Sequence, residues 1–192
     1  MLGDVEHVVI IGTKGTGKST VEKLLVEEYG FSKAISDTTR AMRKGEVDNV
    51  DYHFISDEVF DGRLQNDVYV EHVEARGARY AVARHEIADS RTVFVVDEDG
   101  LLQLINSGLK LFIIKLECNI FKRLFRVLKR DGLFNHPIQT IEQFYKDTDD
   151  FYMLNDETRD RINFILDTKH LDQRAVAELI SKEYCNRNLI TR

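Results

Sequence analysis

Residues 8–19 read Val8-Val-Ile-Ile-Gly12-Thr-Lys-Gly-Thr-Gly-Lys18-Ser19, an apolar β-branched run that leads into a glycine-rich turn. The last eight residues match G-x-x-x-x-G-K-[ST], a pattern that binds phosphate through backbone N–H groups when it joins a buried strand to a helix. Apolar residues at helical spacing follow, from Val21 to Tyr29, and a glycine ends them. The predicted order of strand, turn and helix is the order that such a loop requires.

The strand-then-helix unit recurs along the chain. Apolar runs predict strands at 93–96, 111–114 and 163–166, and helical spacing follows them over about 101–105, 120–130 and 175–184. Strands that are apolar throughout and alternate with helices are typical of a buried parallel sheet with right-handed crossovers. The sequence therefore predicts an α/β protein in which a parallel sheet is flanked by helices.

Two segments interrupt this alternation. Residues 37–88 are polar, with short alternating stretches, and they predict a small inserted α+β subdomain. Residues 131–145 contain Pro137, the only proline, and predict a mobile lid. The core is then made of residues 1–36, 89–130 and 146–192, and the whole chain of 1–192 is expected to be a single domain.

Composition narrows the possible partners. The 192 residues carry a net charge of −6, which disfavours a general attraction to nucleic acid or to an anionic membrane. Cys118 and Cys185 are too few for a disulfide scaffold or a zinc site, and no apolar run is long enough for a membrane span. We expect a cytoplasmic protein, either a monomer or a homodimer, that binds small molecules.

The phosphate loop predicts the binding of a nucleoside triphosphate with Mg²⁺. Lys18 would reach the β- and γ-phosphates, and the Ser19 hydroxyl would be a metal ligand. The alternative is a glycine-rich turn that caps an ordinary helix. The loop alone does not separate a kinase from a GTPase or a motor ATPase. The predicted triphosphate-binding residues are Gly12, Thr13, Lys14, Gly15, Thr16, Gly17, Lys18, Ser19 and Thr20.

A second block of sequence separates these classes. Residues 36–46 read Ser-Asp-Thr-Thr-Arg-Ala-Met-Arg-Lys-Gly-Glu and residues 51–54 read Asp-Tyr-His-Phe. They resemble the S-x-T-T-R-x-x-R-x-G-E and D-Y-x-F motifs of the guanylate kinase family, and the similarity spans roughly residues 8–130. The resemblance implies a P-loop kinase core, a nucleoside-monophosphate-binding subdomain at 37–88, and transfer of phosphate from ATP, with Mg²⁺, to GMP or dGMP.

Four side chains in and after this block suit an acceptor phosphate. Arg40 and Arg43 have planar, permanently charged forks, and Tyr52 and Tyr80 have neutral hydroxyl donors. The resemblance implies that they hold the 5′-phosphate of GMP or dGMP. The alternative is that the two arginines pair on a solvated surface with nearby acidic residues, namely Glu46, Asp48 or Asp51.

Base selection is expected at Glu71, which resembles the family's guanine-reading glutamate. A carboxylate accepts from the adjacent N1–H and N2 amino donors of guanine, for which adenine has no equivalent. Ser36, which matches another base-contacting position, can donate to O6. The alternative for Glu71 is a solvated carboxylate on a strand.

Two further carboxylates follow the strand at 93–96. Asp97 and Asp99 lie where ligands of open α/β folds collect, and either can hold Mg²⁺ through water. We assign Asp97 to the metal, and the resemblance implies that Asp99 faces the acceptor nucleotide. The alternative for one of them is a helix-capping aspartate.

The helix predicted at 120–130 carries two distinct faces. Its apolar residues follow the i, i+3, i+4, i+7 rhythm that predicts a core-facing stripe: Phe121, Leu124, Phe125 and Leu128. Its other face is basic, with Lys122, Arg123, Arg126, Lys129 and Arg130. The resemblance implies that an arginine here contacts the adenine or the phosphates, and Arg126 and Arg130 are the candidates. The alternative is a solvated basic face.

Three departures from the family pattern distinguish this chain. Tyr80-Ala-Val82 stands where the family has Y-G-[ST], so a hydroxyl that helps hold the base is absent. The segment between Arg130 and Arg159 contains no arginine, and Lys146 is its nearest cation. The family's Asn-Asp after the last strand is replaced by Asp167-Thr168. We therefore expect a divergent member of the family.

Two other functions stay open at this point. The first is a kinase for another (deoxy)nucleoside monophosphate or small phosphate, which Val82 and the altered lid favour. The second is a non-catalytic guanylate-kinase-like binding module. Such modules generally have degraded phosphate loops, whereas Lys18 and Ser19 are intact here.

Overall fold

The computed structural model describes residues 5–43, 45–75, 77–87, 91–129, 137–149 and 156–190. Besides a 3₁₀ turn at Arg84–Ile87, its elements are, in chain order, β1 Glu6–Ile11, α1 Lys18–Tyr29, β2 Ser32–Lys33, β3 Asp37–Thr38, β4 His53–Phe54, α2 Asp57–Gln65, β5 Tyr69–Ala75, β6 Ala78–Ala83, β7 Thr92–Val95, α3 Glu98–Asn106, β8 Lys110–Glu117, α4 Ile120–Val127, α5 Pro137–Asp149, α6 Asp156–Asp160, β9 Phe164–Asp167 and α7 Gln173–Ile190.

The larger sheet has the strand order β2-β7-β1-β8-β9, and every neighbouring pair in it is parallel. Successive residues of β1 face opposite sides: Val8 and Ile10 pack towards α1 and α7, whereas Val9 and Ile11 pack towards α3. All four side chains have no exposed area, because helices cover both faces of the sheet. The predicted α/β class, with a parallel sheet flanked by helices, is confirmed.

A second, four-stranded sheet has the order β4-β3-β6-β5 and falls within the segment 37–88. It is antiparallel except for the pair β3 and β4. Helix α2 covers it by packing Phe60 against Tyr69. Gln103 of α3 ties β5 to the core, because its side-chain amide exchanges hydrogen bonds of 2.6 and 2.9 Å with the backbone of His72. The two sheets are thereby joined beside the edge where β7 ends.

Helix α4 is rotated relative to the prediction. Phe121 and Phe125, expected in the core, are 77% and 63% exposed, whereas Arg123 is only 1% exposed and is buried together with Val127. The predicted core-facing stripe is therefore wrong. Arg123 tolerates burial because its Nε–H donates to the Lys14 carbonyl and its guanidinium lies over an aromatic ring. Hydrophobic spacing alone does not predict the burial of a polar side chain that finds partners inside the protein.

Part of the predicted lid is helical. Helix α5 begins at Pro137 and continues past the predicted boundary at residue 145 to Asp149. The helix packs against the rest of the protein through Phe144, whose side chain has no exposed area. Residues 131–136, the remainder of the predicted lid, lie outside the described residues. Among the helices that are described, none has the length and apolar composition of a membrane span.

Candidate active site

The phosphate loop runs between the end of β1 and the start of α1. Two of its glycines are required by close approaches of backbone: a Cβ on Gly12 would lie 2.5 Å from the Leu116 carbonyl oxygen, and a Cβ on Gly15 would lie 2.7 Å from that of Arg123. Gly15 also has a φ of +85°, in the left-handed region that L side chains rarely adopt. The loop is therefore wedged between β8 and α4.

Cationic side chains donate hydrogen bonds to the carbonyl groups of this loop. Lys18 Nζ donates to the carbonyls of residues 12 and 13, and Arg123 Nε–H donates at 3.1 Å to that of residue 14. Arg126 Nη1 donates to the carbonyls of residues 15 and 16, at 3.1 and 3.2 Å. Because the C=O and the following N–H of a trans peptide point in opposite directions, these contacts turn N–H groups towards the other side of the loop. This is the orientation that phosphate binding needs.

A cavity of about 360 Å³ lies against this loop. It is lined by the predicted triphosphate-binding residues from Lys14 to Thr20 except Thr16, together with Arg126, Val127 and Gln173. The structure therefore brings Arg126 to the loop. Arg130 lies outside the described residues.

A second cavity, of about 380 Å³, lies at the carboxyl ends of β8 and β9. Its lining includes Thr13, Asn119, Arg123, Arg159 and Asp167. The adjacent residue of the divergent Asp-Thr pair, Thr168, is fully buried, and its Oγ1 lies 3.2 Å from the Thr16 carbonyl. Thr168 therefore supports the phosphate loop from the side of β9.

The residues predicted for the acceptor phosphate form a cluster around Tyr52. The Arg40 guanidinium lies 5.1 Å from the centre of the Tyr52 ring, and the Tyr80 ring centre lies 5.9 Å from that of Tyr52. Arg40 is also hydrogen-bonded to Glu46 and Tyr80, and these contacts raise its pKa, Glu46 contributing most. Burial raises the pKa of Tyr52, so its hydroxyl stays a neutral donor. Arg40, Tyr52 and Tyr80 thus converge as the sequence predicts.

Arg40 also forms an ion pair with Glu46, which was the alternative interpretation of this arginine. Its two terminal nitrogens each donate at 2.8 Å to one oxygen of Glu46, and the backbone N–H of Arg43 donates to the same carboxylate at 2.7 Å. These bonds lower the pKa of Glu46 to about 2, the bond from Arg40 having the largest effect. The Arg43 side chain is exposed. Glu46 therefore holds Arg40 in place beside the tyrosines.

Glu71 occupies a cavity of about 140 Å³ between the two sheets. Its side chain is 4% exposed, and no donor among the described residues reaches its Oε2. Burial, and then the charge of Asp97, raise its pKa to about 7. Ser36, Tyr52 and Val82 line the same cavity. Because Glu71 is buried, the solvated alternative is wrong. A buried carboxylate oxygen without a donor is costly unless a ligand supplies one.

The two aspartates at the end of β7 have different positions. Asp97 caps α3, since its Oδ1 accepts from the backbone N–H of Gly100 at 3.0 Å. The capping alternative is therefore present at Asp97, while its charge still acts on Glu71. Asp99 is exposed in the first turn of α3. Gly100 allows α3 to approach the cavity of Glu71, because a Cβ there would lie 3.1 Å from Glu71 Oε2.

Sequence reasoning missed several residues at these cavities. Glu22 and Lys33 line the cavity of Glu71, and burial raises the pKa of Glu22 to about 7 against an opposing effect of Lys33. Glu22 lies three residues after Ser19, on the same face of α1, and this spacing was the available signal. Arg123 and Arg159 line the cavity beside Thr13. Nothing in the local sequence predicted either of them there.

Comparison with known proteins supports one family. The family model described as guanylate kinase matches residues 4–130. The chain is similar to a guanylate kinase of Clostridium perfringens strain 13, with 29% identity over 173 residues, which cover 82% of this chain and 79% of that protein. It is also similar to a guanylate kinase of Fusobacterium nucleatum, with 35% identity over 103 residues, or 51% of this chain. That match spans 56% of the Fusobacterium protein.

A solved structure supports the fold. The crystal structure of guanylate kinase from Anaplasma phagocytophilum superposes with a TM-score of 0.67 and 20% sequence identity, covering 97% of this chain and 88% of that one. The loop carbonyls accept from cationic side chains, Arg40 and Tyr80 lie beside Tyr52, and Tyr52 shares a cavity with the buried Glu71. With the family model matching about two thirds of its length, the chain belongs to the guanylate kinase family.

Proposed function

We propose that this chain transfers the γ-phosphoryl group of ATP to the 5′-phosphate of GMP or dGMP. The observation that supports this most is Glu71, whose buried Oε2 has no donor among the described residues. The N1–H and N2 amino groups of guanine are adjacent donors that complement a carboxylate. Ser36 shares the cavity and can donate to O6. The cluster of Arg40, Tyr52 and Tyr80 then takes the phosphate of the same nucleotide.

The chemistry needs alignment and charge neutralisation more than acid–base catalysis. An oxygen of the acceptor phosphate is already anionic; it forms a bond to the γ-phosphorus while the bond to the β,γ-bridging oxygen breaks, giving ADP and a nucleoside diphosphate. Lys18, Arg40 and Arg126 offset the repulsion between the two phosphate groups, with Arg43 and Arg130 as further candidates. In this proposal the subdomain at 37–88 and the lid at 131–145 close over both nucleotides and exclude water.

The donor atoms near the loop fit Mg²⁺. Ser19 borders both the phosphate cavity and the cavity of Glu71, and Asp97 lies at the end of β7 beside that cavity. Hydroxyl and carboxylate oxygens are ligands that suit a hard cation such as Mg²⁺. Ser19, and Asp97 through water, would hold the ion, and the bound ion would offset charge on the transferring phosphates.

A second candidate substrate class rests on Val82. This side chain is 3% exposed and lines the cavity of Glu71 and Ser36, where the family motif has a hydroxyl. A methyl group in that position cannot donate to a base oxygen, so guanine loses part of its advantage. The second candidate is therefore a kinase that accepts other nucleoside or deoxynucleoside monophosphates in addition to GMP.

A coupled assay of ADP release with ATP and Mg²⁺ tests both candidates. GMP, dGMP, AMP, dAMP, CMP, UMP and dTMP are compared as acceptors, with wild type and Glu71→Gln. We expect GMP or dGMP to give the highest kcat/KM, and E71Q to lower it at least about tenfold for guanine acceptors alone. An unchanged ratio of kcat/KM between guanine and other acceptors in E71Q would contradict the assignment of Glu71. Binding of ATP without turnover of any acceptor at high enzyme concentration would favour the binding module instead.

A further inference from the structure

We propose that Arg123 is a positioning residue that couples the position of α5 to the backbone conformation of the phosphate loop. The inference rests on the proposed function only in taking ATP as the ligand of that loop. It concerns a residue that the amphipathic pattern of α4 assigns to a solvated face. Three contacts of this residue support it, two of the buried side chain and one of the backbone.

The first contact fixes one peptide of the loop. Arg123 Nε–H donates at 3.1 Å to the carbonyl of Lys14. This carbonyl and the N–H of Gly15 belong to one planar trans peptide, so holding the oxygen on the α4 side directs that N–H to the opposite side. The N–H groups of such a loop meet phosphate oxygens on the side away from the carbonyl oxygens. Arg123 therefore sets the direction of one phosphate-binding donor.

The second contact ties the same guanidinium to α5. Its central carbon lies 5.0 Å from the centre of the Phe144 ring, and both side chains are at most 1% exposed. A cation over an aromatic face is held more strongly when both groups are shielded from water. If α5 moves, the ring moves, and the guanidinium loses the surface that orients its Nε–H.

The third contact makes this connection rigid. The loop approaches the backbone of α4 at Arg123 so closely that a Cβ on Gly15 would lie 2.7 Å from the Arg123 carbonyl oxygen. Side chain and backbone of one residue thus meet two consecutive residues of the loop. Arg126 differs, because it is only partly buried and its Nη1 can leave the loop carbonyls for a phosphate. We assign the fixed support to Arg123 and the ligand contact to Arg126.

The test compares Arg123→Met, which keeps most of the side-chain volume, with Lys129→Met, which removes a charge from the exposed surface after the same helix. Calorimetry with ATP in the absence of acceptor measures affinity, and thermal unfolding measures stability. We expect R123M to weaken ATP binding about tenfold, a change typical for loss of a charged hydrogen bond. GMP affinity should change less than twofold, and K129M should resemble wild type in both. Unchanged ATP affinity in R123M would overturn the proposal, as would equal losses for ATP and GMP.

The link to α5 is tested by a double-mutant cycle with Phe144→Leu. We expect F144L to weaken ATP binding in the wild-type background and to add nothing in R123M, because both changes remove one support. The Gly15 amide resonance should shift in R123M and in F144L but not in K129M. Additive losses would overturn the link.

Arg123→Lys is the second variant if R123M does not fold, because lysine has no Nε–H at the height of the Lys14 carbonyl. Wild-type ATP affinity in R123K would overturn the role of that N–H. The ATP affinities, the double-mutant cycle and the Gly15 resonance need no GMP, so they stay informative if GMP proves not to be the acceptor.

Discussion

Arg40 and Glu46 form a forked ion pair in which both terminal nitrogens of the guanidinium donate at 2.8 Å to the carboxylate. The pair lies against Tyr52, so the cation is held before any phosphate arrives. Such preorganisation lowers the entropy that a ligand must remove on binding. Glu46 is then a positioning residue for the acceptor phosphate, although its own charge is negative.

The first prediction concerns this pair. Glu46→Gln removes the charge that fixes the fork and should raise the KM for GMP about tenfold, with little change in the KM for ATP. Arg40→Met should lower kcat/KM for GMP at least about 100-fold, because it removes the phosphate contact itself. Steady-state kinetics with each substrate varied in turn measures both effects. An E46Q variant that binds GMP more tightly than wild type would mean that Glu46 competes with the phosphate instead of positioning Arg40.

The second prediction concerns Val82. Val82→Thr places a hydroxyl beside Glu71 and should lower the KM for GMP about two- to tenfold, the range expected for one neutral hydrogen bond. The same variant should be slightly less stable without ligand, because its hydroxyl is buried. Val82→Ala is the control, since it shortens the side chain without adding a donor. An equal improvement for AMP would show that the hydroxyl does not read guanine.

The third prediction concerns pH. The pKa of Glu71 is raised to about 7, so the carboxylate is mostly protonated at pH 6 and mostly ionised at pH 8. Only the ionised form accepts from both guanine donors, and GMP affinity should therefore rise about tenfold between pH 6 and pH 8. Calorimetry should give a much smaller dependence in Glu71→Gln. Glu22→Gln must be measured too, because the pKa of Glu22 is also about 7; an identical slope in wild type and E71Q would contradict this prediction.

The fourth prediction concerns the glycine at the contact with α4. Gly15→Ala forces a left-handed conformation on a residue with a side chain and brings its Cβ against the Arg123 carbonyl. It should lower the free energy of unfolding by at least about 1–2 kcal/mol and weaken ATP binding. Gly62→Ala is the control, because this helical position in α2 has open space around it. It should increase stability by up to about 1 kcal/mol, as measured by urea unfolding. Equal effects of the two substitutions would contradict the strain at Gly15.

Local patterns predicted those parts of the protein that depend on neighbouring residues. The run from Val8 to Ser19 predicted β1, the loop and α1 because strand period, glycine position and helix start are all properties of contiguous residues. The block with Arg40 and Tyr52 resembles a family motif, and the structure places both residues in one cluster. Whether the predicted site residues act in the reaction stays a prediction, for Lys18 and Arg40 as well as for Arg43 and Arg130, and so do the cytoplasmic location and the oligomeric state.

Where a helix has two equally regular faces, only tertiary packing decides which of them is buried. On α4 the sequence offered an apolar face with Phe121 and a basic face with Arg123, and hydrophobic spacing favoured burial of the first. The structure buries Arg123 because the Lys14 carbonyl and the Phe144 ring, which lie far away in sequence, satisfy its guanidinium. That Glu22 and Glu71 line one cavity depends likewise on where the fold places α1 and β5. Sequence alone determined the phosphate loop and the order of the core elements, since both follow from local periodicity; tertiary structure decided which polar groups are buried, since their partners come from distant parts of the chain.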